Sequence, residues 1–410
     1  MGVDYHAFHV RTSLHNGAGV RAMIPDLFRG LRGKRIALFS DQGLKKAGVV
    51  ERVEEVFSAQ DTEAPEIVGT FFELTQDATS SSVNEATRFA RDVRADALLA
   101  VGGGSVMDAV KGVKYSLAYE LEDIKDVLTR GLHVERWPEA RSLTIPHLSV
   151  PTTAGTGSEV SPISVIFNEE KRLKTNLVHP DLASDMAVLD PELSMGLPPF
   201  ITAFTGFDAL THAIEALASP QLNSYSDALA LQAIRLIECH LPRVVADGED
   251  MESRMEMLAA SAMAITAFSL TLAAIPVHNF AHACGALYRT PHGLANALFL
   301  PAVMKALPEL YLPKIDALAT ALQVDTKNKE KEACLDAVID KIEQMRTDIG
   351  LPSHLNTSEV RGEEVTAEDD MAQLVTAVQQ DPLGRMFPLA EETICTIAEQ
   401  VQGVKVEERA

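Results

Sequence analysis

Five side chains in the second half of this sequence have the types and spacing of a metal site. Asp208 and His212 stand four apart in FDALTHAIEAL, and His278 and His282 stand four apart in HNFAH. Each pair shares one face of a helix. His292 follows in the turn-like TPHG. Zn(II) or Fe(II) is held by three or four nitrogen and oxygen donors, drawn from neutral imidazoles and ionised carboxylates. Two helices with one pair each, plus a histidine from a loop, can supply that set. A single histidine on an apolar helix is usually a core residue. Five such groups in two compact motifs point instead to metal chemistry, although spacing alone leaves open which of His278, His282 and His292 bind directly.

Two loops have phosphate-binding character. Gly102-Gly103-Gly104-Ser105 follows the strand-like run ADALLAV and precedes a helix expected over Val106–Tyr115. Glycines let a backbone approach a ligand, and a helix N-terminus offers free N–H groups and a positive dipole end. The cluster departs from GxGxxG, because its sixth position is Met107. The segment Pro151-Thr152-Thr153-Ala154-Gly155-Thr156-Gly157-Ser158-Glu159 follows another strand-like run and offers hydroxyl and backbone donors to a pyrophosphate or ribose. In open α/β sheets ligands lie at strand carboxyl ends, where both loops fall. Gly17-Ala18-Gly19-Val20-Arg21-Ala22 fits GxGxxA in form, but no apolar strand is expected before it, so it is set aside. HExxH, GxSxG, GxxxxGK[ST] and EF-hand signatures are absent.

The elements that must position these groups change character along the chain. Strands are expected at Lys34–Ser40, Glu66–Leu74, Ala95–Val101, Leu143–Val150 and Met186–Leu189, with an amphipathic helix over Ser82–Val93. Strands separated by helices argue for a mainly parallel sheet. From about Pro199 the β-branched runs vanish, and helices are expected over Asp208–Leu217, Tyr225–His240, Ser253–Ala274, Lys314–Leu322 and Lys329–Asp348. The reading is an α/β N-terminal domain over 1–198 and an all-α C-terminal domain over 199–410, the junction lying in Met195–Pro199. Ser358–Asp370 is acidic and reads as solvated surface.

The 410 residues are 46% hydrophobic and 23% charged, as in ordinary globular proteins, so disorder is excluded. The formal net charge is −22. A surface that acidic repels phosphate backbones, so no nucleic-acid partner is expected. Met257–Val277 is uncharged and long enough to span a bilayer, but it is Ala-rich with modest hydrophobicity and runs into His278 and His282, so a buried helix is expected and no membrane partner. Four scattered cysteines without a CxxC pair suit a reducing, cytoplasmic location. The opening MGVDYHAFHVRTSLHNG has no apolar core for a secretory signal.

GGGSVMDAVKG (102–112), PTTAGTGSEVSP (151–162), TGFDALTHAIEA (205–216) and HNFAHACGALYRTPHG (278–293) together resemble the iron-dependent, group III alcohol dehydrogenases, whose fold is the dehydroquinate synthase-like one. The resemblance implies a dinucleotide-binding domain, a helical domain and a divalent metal in the cleft between them. It implies Asp208, His212, His278 and His292 as metal ligands and His282 as a nearby histidine that assists proton transfer. Gly103, Gly104 and Ser105 match its pyrophosphate loop, with Asp108 just after it. Thr152, Thr153 and Thr156 match residues lining the cofactor, Lys174 a lysine near the nicotinamide ribose, and Asp41 a residue near the adenosine ribose. The implied activity is an NAD(H)-linked alcohol dehydrogenase or aldehyde reductase acting on a small primary alcohol or aldehyde. In it the metal polarises the substrate oxygen and hydride passes to or from nicotinamide C4. Fe(II) is the ion the family name implies, and an Asp with three His also accepts Zn(II). A homo-oligomer, a dimer or a multiple of one, is implied as well. Glycerol dehydrogenase-like and maleylacetate reductase-like enzymes of the same superfamily are the alternatives, with a non-enzymatic binding role behind them. Two departures stand out. Thr75-Gln76-Asp77-Ala78 replaces a frequent Pro-Asn-Pro stretch, and Ile275 stands where a small residue is common.

Overall fold

The computed structural model describes residues 8–57, 64–221, 223–355, 367–382 and 384–402. The chain divides into two compact units between Gly196 and Leu197, with Phe8 joining the second unit. There its ring stacks on Tyr225 at 4.6 Å.

The first unit is built on β1 (Ser13–Asn16), α1 (Ile24–Leu31), β2 (Arg35–Phe39), α2 (Gln42–Lys46), α3 (Val49–Glu54), β3 (Glu66–Phe71), α4 (Ser80–Asp92), β4 (Ala97–Gly102), α5 (Gly104–Ala118), β5 (Leu132–Val134), β6 (His147–Pro151), β7 (Ile163–Asn168), β8 (Leu173–Val178) and β9 (Met186–Leu189). Six strands form a sheet of order β1-β9-β6-β4-β2-β3, with every pairing parallel. Parallel strands are buried on both faces, and the alternation of side chains shows it. Ile36, Leu38, Leu99 and Val101 pack with Leu27, Phe28, Val50 and Val53 of α1 and α3. Ala37, Phe39, Leu98 and Ala100 pack with Val83 and Ala86 of α4 and Val106 and Val110 of α5.

That alternation locates a crevice. The helices after β2 lie on one face of the sheet, and the helix after β4 lies on the other. Between the carboxyl ends of these neighbouring strands the backbone diverges, which is where open α/β sheets take ligands. Ser40 joins the two ends by donating from Oγ to the Val101 carbonyl at 2.8 Å.

A three-stranded sheet of order β5-β8-β7 completes the unit. The antiparallel β7–β8 hairpin is fastened to α5 by one half-buried and one fully buried ionic group. Asp108 accepts from the Val165 N–H at 3.1 Å, and Lys111, fully buried, donates to the Ile163 carbonyl at 2.6 Å. Of the strands in this unit, β1, β5, β7 and β8 were not expected. They are short, or they carry the polar residues needed by neighbouring loops.

As expected, no apolar strand precedes Gly17. β1 does run up to the Gly17–Gly19 turn, but as a largely exposed edge strand without an apolar run. The N–H groups of Gly19 and Arg21 donate to the carboxylate of Asp190 at 3.1 and 3.3 Å. The turn is a real anion site, and its anion is Asp190.

The second unit is helical: α6 (Pro199–Ala218), α7 (Ser224–Ala246), α8 (Met251–Ser269), α9 (Pro276–Tyr288), α10 (His292–Ala306), α11 (Pro308–Tyr311), α12 (Ile315–Ala321), α13 (Lys331–Asp348), α14 (Ala367–Gln380) and α15 (Glu391–Gln402). The central helix α6 is apolar almost all round and packs on α7, α8 and α10. Asn223 caps α7 by accepting from the Tyr225 and Ser226 N–H groups, and Asp250 caps α8 through the Ser253 N–H. α8 ends at Ser269, short of the uncharged stretch's end, and no helix among the described residues is long and apolar enough to cross a membrane. Residues 356–366 of the acidic stretch lie outside the described residues. Asp370 departs from the solvated reading: it is buried and accepts from the Tyr288 hydroxyl at 2.8 Å.

Glu159 yields a test of this architecture. It sits 2% exposed in the loop after β6, and burial raises its carboxyl to about 7 against the pull of a backbone N–H and of Lys111. Between pH 4.5 and about 7 the folded chain keeps a proton that the unfolded chain has lost. Stability is therefore expected to fall by about 3 kcal/mol as pH rises through that window, and to level above it. Glu159→Gln should remove this slope. Urea unfolding of both proteins across about pH 5 to 8 checks it; parallel curves would contradict the assignment.

Candidate metal centre and nucleotide loops

Asp208 and His212 lie one turn apart on α6, His278 on the first turn of α9, and His292 at the first position of α10. The approach of α10 to α6 depends on Gly293. A Cβ there would stand 2.2 Å from the Phe204 carbonyl oxygen and 3.1 Å from Asp208 Cβ. With no side chain at 293, His292 reaches Asp208: Nε2 lies 3.6 Å from Oδ1. His278 Nε2 lies 3.8 Å from the same oxygen. Asp208, His278 and His292 offer donor atoms all within 4.8 Å of one another. A tetrahedral ion with bonds near 2.1 Å separates its ligand atoms by roughly 3.4 Å, so the three are spaced for one ion.

Asn296, one turn after His292, marks the point of convergence. Its Nδ2 donates to Asp208 Oδ1 at 2.7 Å and lies 3.3 and 3.4 Å from Nε2 of His278 and His292. One N–H group thus sits where three electron-pair donors meet. His212 stands slightly apart from this set. Its ring stacks on His278 at 4.5 Å, with Nδ1 4.0 Å from Asp208 Oδ1.

The site is buried and charged. Burial would raise the Asp208 carboxyl, but His212, His292 and His278 more than reverse this and hold it well below the usual carboxylate range. Burial would lower His278, but Glu215 and Asp208 outweigh it and push His278 up to about 9. Glu215 lies two turns after Asp208 on the same face of α6. One of its oxygens accepts the Val277 N–H at 2.7 Å, and the other meets His278 Nδ1 in a very short contact. The carboxylate caps the start of α9 and holds a proton of His278 on Nδ1, so the proton an ion would displace is the one on Nε2. His282 is held by Asp381, whose Oδ2 lies 2.7 Å from Nδ1, and its ring stacks on His292 at 5.3 Å.

In the first unit, the two glycine- and threonine-rich loops meet. A Cβ on Gly103 would lie 3.1 Å from Thr153 Oγ1, and one on Gly104 2.6 Å from Thr156 Cγ2. Gly103 precedes the first turn of α5, so the free N–H groups of that helix open beside Thr153 and Thr156. Thr152 is buried and donates its N–H to the Gly102 carbonyl. Ser105 accepts from the Asp77 N–H at 3.1 Å, and Lys174 pairs with Asp77 at 2.8 Å, so the unusual 75–78 segment borders the glycine turn. Asp108 points elsewhere, to Ser158 at 2.5 Å, Lys111 and β7. Asp41 caps α2, its Oδ1 accepting from the Leu44 N–H at 2.9 Å.

Sequence reasoning missed three residues. Glu215 and Asn296 were visible as acid or amide groups at helical spacing from Asp208 and His292. Asp381 carries no local signal.

With this geometry in place, comparison with known proteins is informative. Residues 12–191 match the iron-containing alcohol dehydrogenase model, and residues 202–401 match the C-terminal model of the Fe-containing alcohol dehydrogenase family. The chain belongs to the iron-containing alcohol dehydrogenase family. It is 32% identical over 350 residues to the 1-propanol dehydrogenase PduQ of Citrobacter freundii, covering 85% of this chain and 86% of that protein. It is also 32% identical over 349 residues to an NADPH-dependent butanol dehydrogenase of Clostridium saccharobutylicum, covering 84% and 85%. Among solved structures, a 1,3-propanediol oxidoreductase superposes with a TM-score of 0.84 at 29% identity, covering 97% of this chain and all of that one. The chain is thus an oxidoreductase of the alcohol dehydrogenase class.

Gly293→Ala is expected to push the first turn of α10 off α6 and draw His292 from Asp208. Affinity for a divalent ion should fall about 10- to 100-fold with helix content retained. Metal titration followed by circular dichroism checks both, and wild-type affinity in this variant would contradict the close-approach argument.

Proposed function

We propose that this chain is a metal-dependent, NAD(H)-linked alcohol dehydrogenase or aldehyde reductase for small primary alcohols or aldehydes. The observation that carries the reading is the meeting of Asp208, His278 and His292 around the amide nitrogen of Asn296. Relatives named for 1-propanol and butanol support a short primary alcohol. Asp208, His278 and His292 would hold the metal with His212 as a further ligand, and the donor set suits Fe(II), with Zn(II) as the alternative. When bound, the metal polarises the substrate oxygen, and the nicotinamide gives or takes the hydride.

The chain's own groups do the rest. Glu215 keeps His278 in the ligand tautomer. His282 gives or takes the proton of the alcohol oxygen. The N–H groups opening α5 at Gly104 and Ser105, with the side chains of Thr153 and Thr156, bind the pyrophosphate; Gly103 and Thr152 shape that loop. Lys174, paired with Asp77, would hold the nicotinamide ribose, and Asp41 would accept from the adenosine ribose hydroxyls. Asp108 contributes by holding β7 and Ser158 in place. We place the enzyme in the cytoplasm, as a homodimer or a multiple of one.

Two measurements test this reading. His278→Ala should lose the metal and nearly all NADH oxidation with small aldehydes. His282→Ala should keep the metal and turn over roughly 100-fold more slowly. Metal analysis of anaerobically purified protein decides it, and a metal-free His282→Ala beside a metal-bound His292→Ala would reverse the assignment.

For the cofactor, NAD(H) should be preferred over NADP(H), because an Asp41 carboxylate repels a 2′-phosphate. Asp41→Gly should relax that preference and, through the lost cap, cost a few tenths of a kcal/mol. Comparing kcat/KM for both cofactors checks it; a wild-type enzyme favouring NADPH removes Asp41 from this role.

A further inference from the structure

His282 takes its hydrogen-bond partner from far along the chain. Asp381, 99 residues later, places Oδ2 2.7 Å from His282 Nδ1, and both side chains are buried. The second oxygen of Asp381 is also committed: Oδ1 accepts the Gly384 N–H at 2.9 Å. Gly384 lies against the α9 residue Asn279. A Cβ at 384 would stand 2.6 Å from Asn279 Nδ2 and 2.8 Å from its Cγ. A side chain at 384 would therefore hold the turn away from α9. Asn279 is itself three residues before His282. The contacts close a ring, from α9 through His282, Asp381 and Gly384 back to α9.

An ionised carboxylate accepts hydrogen bonds and donates none. With Asp381 at Nδ1, the neutral form of His282 carries its proton on Nδ1 and its lone pair on Nε2. The Gly384 N–H adds a second constraint, because it too needs an acceptor and so fixes which carboxylate oxygen faces which partner. We infer that Asp381 is a positioning residue that sets the tautomer and ring plane of His282. It acts through His282 and has no contact with reacting atoms assigned to it. The consequence for turnover rests on the function proposed above; the tautomer does not.

The ring predicts the outcome of an isosteric change. In Asp381→Asn, the Gly384 N–H claims the amide carbonyl, which leaves the amide N–H facing His282 Nδ1. Two donors cannot share that contact, so the imidazole proton must move to Nε2. The same logic operates wherever a carboxylate holds a catalytic imidazole.

The first test is spectroscopic and needs no activity. Long-range 1H–15N correlation on 15N-histidine-labelled, metal-free protein reads the His282 tautomer, with His282→Gln supplying the assignment. The expected result is Nδ1–H in the wild type and Nε2–H in Asp381→Asn. A wild-type proton on Nε2, or an unchanged tautomer in the variant, overturns the inference. The second test uses the metal-loaded enzyme. Asp381→Asn should lower kcat by roughly 100-fold, with KM and bound metal within about twofold of wild type, and Asp381→Glu should restore part of the loss. Unchanged kcat beside a moved tautomer also overturns the positioning role in turnover. An inactive wild type whose tautomer nevertheless responds to Asp381→Asn would refute the proposed function while supporting the inference.

Discussion

Asp208 places a carboxylate where almost no water reaches it, and the surrounding helices are arranged to answer that charge. An uncompensated buried carboxylate costs several kcal/mol. Here Asn296 donates to it and three imidazoles surround it. Glu215 adds a second buried carboxylate on the same face of α6, and His278 lies between the two, with one ring nitrogen toward each. The helical unit therefore concentrates negative charge and electron-pair donors at one point. Gly293 exists in this arrangement to let α10 come close enough to join. A cation at that point would answer Asp208 and the imidazole lone pairs together, and the Asn296 amide group that now sits there would have to turn away.

The same device appears twice, with different ends. Glu215 and Asp381 each hold the Nδ1 of a histidine on α9. The first histidine turns its other ring nitrogen toward Asp208 and His292. The second is stacked on His292 and is oriented by a carboxylate that is itself fixed by a turn. Two histidines one helical turn apart thus receive their tautomers from separate parts of the chain. A motif that reads HNFAH in one dimension acquires two distinct jobs from its partners.

Much of this was legible in the sequence because it is local. The strands at β2, β3, β4, β6 and β9 announce themselves as apolar runs, and the two i, i+4 pairs single out Asp208 and His278, which the structure brings together with His292. The missed elements are those whose reasons are not local. β1 is an edge strand, and edges need no apolar alternation. β7 and β8 follow from Asp108 and Lys111 reaching across to a hairpin more than 50 residues later. Asp108 looked like a ligand-facing residue because it follows a glycine turn, and only the structure shows its oxygens engaged by Ser158, Lys111 and Val165. Asp41 similarly reveals a capping role that its residue type allowed from the start. Asp381 could not be found at all, since nothing near it in sequence shares its task.

The Gly17–Gly19 turn and the Gly102–Gly104 turn stand on the same sheet, and both present N–H groups suited to an anion. Asp190 answers the first from within the chain. A tethered anion behaves as though present at very high concentration, so a free phosphate arriving there would have to displace a competitor that cannot diffuse away. Choice between the two turns is thereby settled by intramolecular competition rather than by the shape of either turn. A single aspartate past β9 keeps the first turn self-occupied, whereas no side chain caps the turn that opens α5.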